Sequence, residues 1–361
     1  MMRTIALALV VDVLVTTPCI SDMPVGYFGN AGLMSGQGIN TATLDGNPVL
    51  SSDGLALYFT SDRDSGGQGI ADIFRATRET ENAPFGNVER LGGGVNTPFQ
   101  EIPSFVETSV DGITTLWFTS DRPNGYGGRD LYSATMQPGE DTFGNVQNMG
   151  ETVNTQYEDR TAFFSSDRLS FYFYSNRPGT EGQFDIYRSV RPSLDAPFDT
   201  PIRLSGPING PGWDGGNISL SSDELYLFFY SNSPRPRNDF ALDIWIAARS
   251  SVESEFDTAM NLNDFSLGSA VNVDGDIEAT PHVSRDWPAN GSKLYYLTIQ
   301  RNNNPGFLDW NVWEATWTQV DVSSNGVLDV TDIDDLALAI REESDERRFD
   351  LNHDGQVDGF D

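Results

Sequence analysis

Cysteine occurs once in this chain of 361 residues, at Cys19, so no disulfide within the chain can staple the fold. Histidine occurs twice, at His282 and His353. That scarcity argues against a zinc centre built on His and Cys and against a thiol nucleophile paired with histidine. Lysine occurs once, at Lys293, so nearly all positive charge is arginine, which favours fixed fork-shaped pairs with carboxylates. Even so, 22 Lys plus Arg face 53 Asp plus Glu, for a formal net charge of −31. Phosphate backbones are held by clustered Lys and Arg, which excludes nucleic acid as a partner and disfavours a polybasic membrane surface. Neither a Gly-x-Ser-x-Gly elbow nor a Gly-x-x-x-x-Gly-Lys phosphate loop occurs. Past the N-terminus, no stretch approaches the ~20 apolar residues of a membrane span.

What the chain does have is 38% hydrophobic and 11% aromatic residues with 35 Gly and 19 Pro, a composition for short strands and tight turns. Residues 1–22, with Arg3, the apolar run Ile5 to Val11 and then Leu14 and Val15, have the outline of a secretory signal peptide. The expected location is therefore secreted or cell envelope.

Internal repetition decides the architecture. The phrase Leu57-Tyr-Phe-Thr-Ser-Asp-Arg63 returns as Leu116 to Arg122, as Phe171 to Arg177, as Leu227 to Ser233 and, more faintly, as Leu294 to Thr298. A turn precedes each copy: Ser52-Asp53-Gly54, Val110-Asp111-Gly112, Ser166-Asp167-Arg168, Ser222-Asp223-Glu224 and Asn290-Gly291. After each comes an acid or Asn followed by a hydrophobic and an aromatic residue, beginning at Asp72, Asp130, Asp185, Asp243 and Asn311. A fourth strand is predicted at Phe85–Val88, Phe143–Val146, Phe198–Asp199 and Phe256–Asp257, then a Val/Ile-Asn step. The fifth copy lacks its Phe-Gly-Asn strand, and that piece stands at the N-terminus as Phe28-Gly29-Asn30-Ala31. The predicted fold is all-β: a five-bladed β-propeller over residues 27–318, closed by an N-terminal strand that removes the open edges.

The repeated pattern resembles the WD40-like (PD40) β-propeller repeat of TolB-type and related bacterial envelope proteins, over residues of about 27 to 318. That resemblance implies a scaffold more than a function, because such repeats serve binding, scaffolding and enzymatic roles.

Residues recurring once per blade are read as structural. Asp72, Asp130, Asp185 and Asp243 are expected to pair with Arg63, Arg122 and Arg177 of the preceding phrases, with Arg235 or Arg237 substituting beside Ser233. A second set follows each Val/Ile-Asn step: Asp45, Glu101, Asp159, Asp214 and Glu278. These acids are predicted to ring the mouth of the central channel, with Phe99, Tyr157 and Trp213 beside three of them and His282 at the same level. Carboxylates beside aromatic faces suit a sugar or a cation, and a carboxylate pair suits glycoside hydrolysis. Equally, each acid can cap backbone donors of a neighbouring blade. Two acids left unpaired around an open pocket would favour hydrolysis.

After Gln319 the composition changes: residues 321–361 hold 13 acids and 3 arginines and none of the repeat phrases. Two twelve-residue loops fit a calcium template of oxygen ligands with glycine at position six. One offers Asp321, Ser323, Asn325, Val327, Asp329 and Asp332 around Gly326. The other offers Asp350, Asn352, Asp354, Gln356, Asp358 and Asp361 around Gly355. With the helical stretch Ile333 to Ile340 between them, the pattern resembles a type I dockerin, a small α-helical EF-hand-like module. The helix expected after the second loop is missing, so the module reads as truncated. The resemblance implies bound Ca2+ and a cohesin-like partner. The functional expectation is a secreted, calcium-binding propeller that binds or scaffolds in a polysaccharide-related setting, with a cell-surface glycan as the other partner. The competing expectation is a glycoside hydrolase or other polysaccharide-degrading enzyme with its carboxylates at the propeller mouth.

Overall fold

The computed structural model describes residues 24, 26–34, 38–65, 71–181, 183–210, 215–232, 242–265, 271–273, 276–301 and 308–319. The predicted signal peptide and calcium loops lie outside the described residues. Twenty strands are described, in five four-stranded antiparallel sheets. Blade one holds β2 (Asp45–Leu50), β3 (Ala56–Ser61), β4 (Asp72–Thr77) and β5 (Gly86–Arg90), preceded in the chain by β1 (Gly26–Leu33). Blade two holds β6 (Glu101–Thr108), β7 (Thr114–Ser120), β8 (Asp130–Met136) and β9 (Gly144–Asn148). Blade three holds β10 (Asp159–Phe164), β11 (Ser170–Ser175), β12 (Asp185–Val190) and β13 (Ile202–Arg203). Blade four holds β14 (Gly215–Leu220), β15 (Tyr226–Ser231), β16 (Asp243–Ala248) and β17 (Thr258–Asn261). Blade five holds β18 (Ile277–Val283), β19 (Lys293–Arg301) and β20 (Leu308–Gln319).

The burial pattern follows from position in the blade. All six residues of β11 are buried, because neighbouring blades cover both faces of a middle strand. The outer strand β9 alternates between partly buried and exposed residues, the period of a strand with one face to water. Each hairpin turn demands a left-handed residue, met by Gly54, Gly112 and Gly291 and, in blades three and four, by Arg168 and Glu224. Asp53, Asp167 and Asp223 brace these turns by accepting the amides of Leu55, Leu169 and Leu225, the hairpin role expected of Asp53 and Asp167. In blade three the outer strand begins three residues beyond the expected Phe-Asp pair, at Ile202, and in blade four directly after it, at Thr258, although the Asp199 and Asp257 amides still bond back to Val190 and Ala248.

The ring closes as expected. β1 runs antiparallel to β20, with Phe28 opposite Trp317, and so supplies the fourth strand of blade five. Asn30 takes the same left-handed φ (50°) as Asn87 (49°) and Asn145 (49°), so the N-terminal strand repeats the bulge of the outer strands it stands in for. Phe28 is fully buried against Trp317, Trp287 and Phe228. A second device joins the blades. Asn96, Asn154, Asn209 and Asn272 each accept the amide and donate to the carbonyl of the strand-three residue in the blade before. Asn40 does the same for Val312 across the closure. Each inter-blade crossing is thus stitched by one side-chain amide that satisfies two backbone groups at once. Among the described residues no helix is long and apolar enough to cross a membrane.

Candidate functional site

The five strands β2, β6, β10, β14 and β18 line the central channel and begin at one of its ends. The sequence places an acid at each start, and the structure shows what most of these acids do. Asp45 is fully buried, accepts the Thr41 amide and hydroxyl at 2.6 and 2.7 Å, and pairs with Arg63 at 2.9 Å. Glu101 accepts the Thr97 amide and hydroxyl and the Ser120 hydroxyl, and meets Arg122 at 3.3 Å. Asp159 accepts the Thr155 amide and hydroxyl and pairs with Arg177 at 2.5 Å. Each arginine also lies over two aromatic rings of its blade: Phe59 and Phe74, Phe118 and Tyr132, Phe173 and Tyr187. Three of the candidate catalytic acids are therefore committed to buried structural latches.

This corrects the expected partnership of the Ser-Asp-Arg phrase. Its arginine pairs with the acid at the start of the innermost strand, not with the Asp of the Asp-Ile-aromatic phrase. That Asp pairs outward with a residue 18 positions later on strand four: Asp72 with Arg90, Asp130 with Asn148, Asp185 with Arg203 and Asp243 with Asn261. Strand three lies between strands two and four, so an acid at its start can reach either neighbour. The inner acids have already taken the arginine on the inner side. Arg235 and Arg237 lie outside the described residues.

Blades four and five break the latch in different ways. The register partner of Ser231 is Gly215, where blades one to three place the acid opposite the serine, and the arginine position holds Ser233. Blade four has thus lost both partners from this register, and Asp214 itself lies outside the described residues. Blade five keeps the acid alone: Glu278 faces Thr298, and two residues on stands Gln300. Glu278 is fully buried, and among the described residues it accepts one bond, from the Val273 amide, while its Oε1 has no partner. Burial, with Asp243 and Asp276 nearby, raises its pKa from 4.5 to about 8.

At the end of the channel where these strands begin lies a cavity of about 310 Å³. Among its described lining there is no carboxylate. Its wall from blades four and five is apolar and aromatic: Tyr230, Leu242, Ile277, Ala279, Leu297, Ile299 and Trp310, most of which form one packed cluster. The facing wall carries Gln100, Arg129, Arg160, Thr119, Thr161 and Tyr174, with Asn47, Thr60, Asn217 and Thr280 around the channel. All five inner strands bulge here, four of them with a residue at positive φ: Asn47, Thr161, Asn217 and Thr280. β-Branched residues such as Thr161 and Thr280 reach that region only at a cost, and such strain gathers at binding sites.

His282 does not stand at this level. It lies four residues further along β18 and lines a narrower cavity of about 80 Å³ at the opposite end, with Phe163, Phe164 and Arg285. Burial and Arg285 lower its pKa to about 4, so it is neutral under ordinary conditions. Phe99 is 40% exposed and Tyr157 half-buried, and neither lines the mouth cavity, while Trp213 lies outside the described residues. Among the described residues no group of three or more His, Cys, Asp or Glu side chains could hold a metal ion.

The lining residues that sequence reasoning passed over carry a signal of their own, in repeat positions that vary where their neighbours do not. The residue before the Ser of each Ser-Asp-Arg register is Thr60, Thr119, Tyr174, Tyr230 and Leu297, and all five line the cavity. The residue before each Asp-hydrophobic-aromatic phrase is Ala71, Arg129, Phe184, Leu242 and Trp310, and three of these do.

No family model and no curated protein matches the chain. Solved structures do. The catalytic domain of a GH62 α-L-arabinofuranosidase from Coprinopsis cinerea is similar with a TM-score of 0.53 at 9% identity, covering 83% of this chain and 98% of that one. Levansucrase from Bacillus subtilis in complex with oligosaccharides is similar with a TM-score of 0.53 at 10% identity, covering 80% and 84%. A TolB from Agrobacterium tumefaciens aligns at a TM-score of 0.39 and 15% identity, over 77% and 91%. At these identities the first two likenesses establish a shared five-bladed propeller fold, and the third adds nothing further.

Proposed function

We propose that this propeller handles polysaccharide and that the channel mouth is its sugar site. The observation that carries the reading is the mouth cavity itself: an aromatic and apolar wall faces amide, hydroxyl and guanidinium groups across about 310 Å³. Ring faces stack on aromatics and sugar hydroxyls take the polar groups, the usual division of labour in a small-molecule pocket. The test is a panel of plant and bacterial polysaccharide fragments titrated against the full chain, read by calorimetry and by reducing-end release. Binding of at least one glycan, weakened by Trp310→Ala or Tyr230→Ala, is expected. A flat response across the panel would sink the reading.

A second reading, hydrolysis, is favoured over a pure scaffold by the fold shared with the arabinofuranosidase and levansucrase. Its candidate proton donor is Glu278, whose raised pKa keeps it protonated at neutral pH and which stands on β18 between the lining residues Ile277 and Ala279, with its own side chain buried behind that wall. The sequence candidate for the second carboxylate is Asp214. Under this reading, reducing ends are released and Glu278→Gln abolishes release while leaving binding in place.

The rest of the proposal concerns the termini. The chain is exported, and the loops around Gly326 and Gly355 each hold a calcium ion and dock a cohesin-like partner. Asp350→Ala together with Asp354→Ala should remove calcium-dependent stabilisation; an unaltered calcium titration would overturn that assignment.

A further inference from the structure

Arginine supplies nearly all the positive charge of this chain, and most of the described arginines are matched to an acid. Arg63, Arg75, Arg90, Arg122, Arg177 and Arg203 all hold carboxylates at bonding distance. Arg129 has no ion pair among the described residues, as Arg78, Arg188 and Arg191 have none, but of these four only Arg129 stands at the channel mouth. It lines the mouth cavity, and its described side-chain bond goes to a neutral acceptor, the Gln100 side-chain oxygen. Asp121 lies in its vicinity, but that carboxylate accepts the Gln100 amide at 2.8 Å and forms no ion pair with it.

Beside it on the same wall stands Arg160. One of its nitrogens bonds the Glu158 carboxylate, its guanidinium lies over Phe184, and its Nε is buried with no partner. Two guanidiniums thus share a partly buried wall with one ion-paired carboxylate, that of Glu158, between them among the described residues. Burial and the field of Arg160 push the Arg129 pKa below its ordinary value, the sign of a cation held where an anion is missing. A protein with an excess of 31 negative charges had ample acid to place there. The opposite wall, Tyr230, Leu242, Ile299 and Trp310, is apolar and flat-faced.

Resting on the polysaccharide reading above, we infer that the mouth selects an acidic sugar: a uronate ring whose face packs on Trp310 and Tyr230 and whose carboxylate is taken by Arg129 and Arg160. Guanidinium groups match carboxylates in geometry as well as charge, and a bond to a charged group is worth about 1.5–3 kcal/mol. The site would then prefer uronate over neutral pentose or hexose by roughly one to two orders of magnitude.

The experiment uses the full chain and three probes: trigalacturonate, the same trisaccharide fully methyl-esterified, and neutral arabino- and xylotrioses. Calorimetric titration at low and high salt is expected to show the free acid bound about tenfold or more tightly than the ester or the neutral sugars, with an affinity that falls as salt rises. Arg129→Gln should erase the preference for acid over ester, while Arg129→Lys should restore part of it. Equal binding of acid and ester overturns the inference but leaves the polysaccharide reading standing. Failure of all probes, together with a flat glycan panel, overturns both. Should Arg129→Gln fail to fold, the acid-against-ester comparison decides the matter on the native protein.

Discussion

Arg63, Arg122 and Arg177 each close a buried latch in which serine, an inner-strand acid and two aromatic rings surround one guanidinium. Removing such an arginine strands a carboxylate with no exposure, a loss worth about 3–5 kcal/mol for a buried pair. Arg63→Ala is therefore expected to destabilise by that order, and a double-mutant cycle of Arg63 with Asp45 should show coupling above ~1 kcal/mol. The same cycle with Asp72 should come out near zero. The reverse result would restore the partnership that the repeat phrases alone suggested. Glu278 is the latch acid without its arginine, and its pH signature follows. A carboxyl whose folded pKa is raised binds more protons folded than unfolded between pH 4.5 and about 8, so its contribution to stability falls across that window and levels off above it. Glu278→Gln should remove that slope, raising stability at pH 8 by up to a few kcal/mol while changing little near pH 4.5. Denaturant midpoints measured across the window would check it. His282 works in the opposite direction, since its folded pKa of about 4 costs stability as pH falls below 6.5.

Among the elements, β1 has the largest consequence for its length. It completes a sheet begun some 250 residues later and places Phe28 in a cluster with Trp287, Trp317 and Phe228. Phe28→Ala opens a cavity at the seam where the ring closes, and such truncations cost about 3–5 kcal/mol. Thermal unfolding should move to lower temperature by a correspondingly large step. An equivalent truncation at an exposed outer-strand position such as Ile202, 72% exposed, should leave it almost unmoved. A comparable response from both variants would show that the closure strand is not what holds the ring. Asn40 belongs to the same device, because it repeats across the closure the stitch that Asn96 and Asn154 make within the ring.

For the whole molecule, net charge is the governing quantity. Latches and hairpin turns absorb part of the acidity, yet −31 overall leaves a repulsive field over the surface. Raising ionic strength from low salt to about 0.15 M shortens the Debye length to ~8 Å and should raise Tm by about 2 °C or more. A fall in Tm on adding salt would mean that attractive pairs dominate the field instead. Within that field the described lining of the channel mouth carries positive charge on one wall and no charge on the other. This contrast separates the site from the rest of the surface.

Blade number, closure strand and stitching asparagines were legible because each recurs at a fixed place in the repeat, and repetition converts a weak local signal into a strong one. The recurring acids were legible as a set, but their role was not. A carboxylate reads the same whether it faces water, a sugar or an arginine, and only the register of β2 against β3 shows Asp45 opposite Ser61 with Arg63 folding back onto it. The cavity lining was hidden for the converse reason: Arg129 and Trp310 share one repeat position and Tyr230 occupies another, but the residue type changes from blade to blade, so no constant motif marks them. The linear chain thus determined the repeating scaffold, whose strands pair with neighbours close in sequence. What converges at the channel mouth was decided by ring closure, which brings equivalent positions of distant repeats, filled by different residues, around one axis.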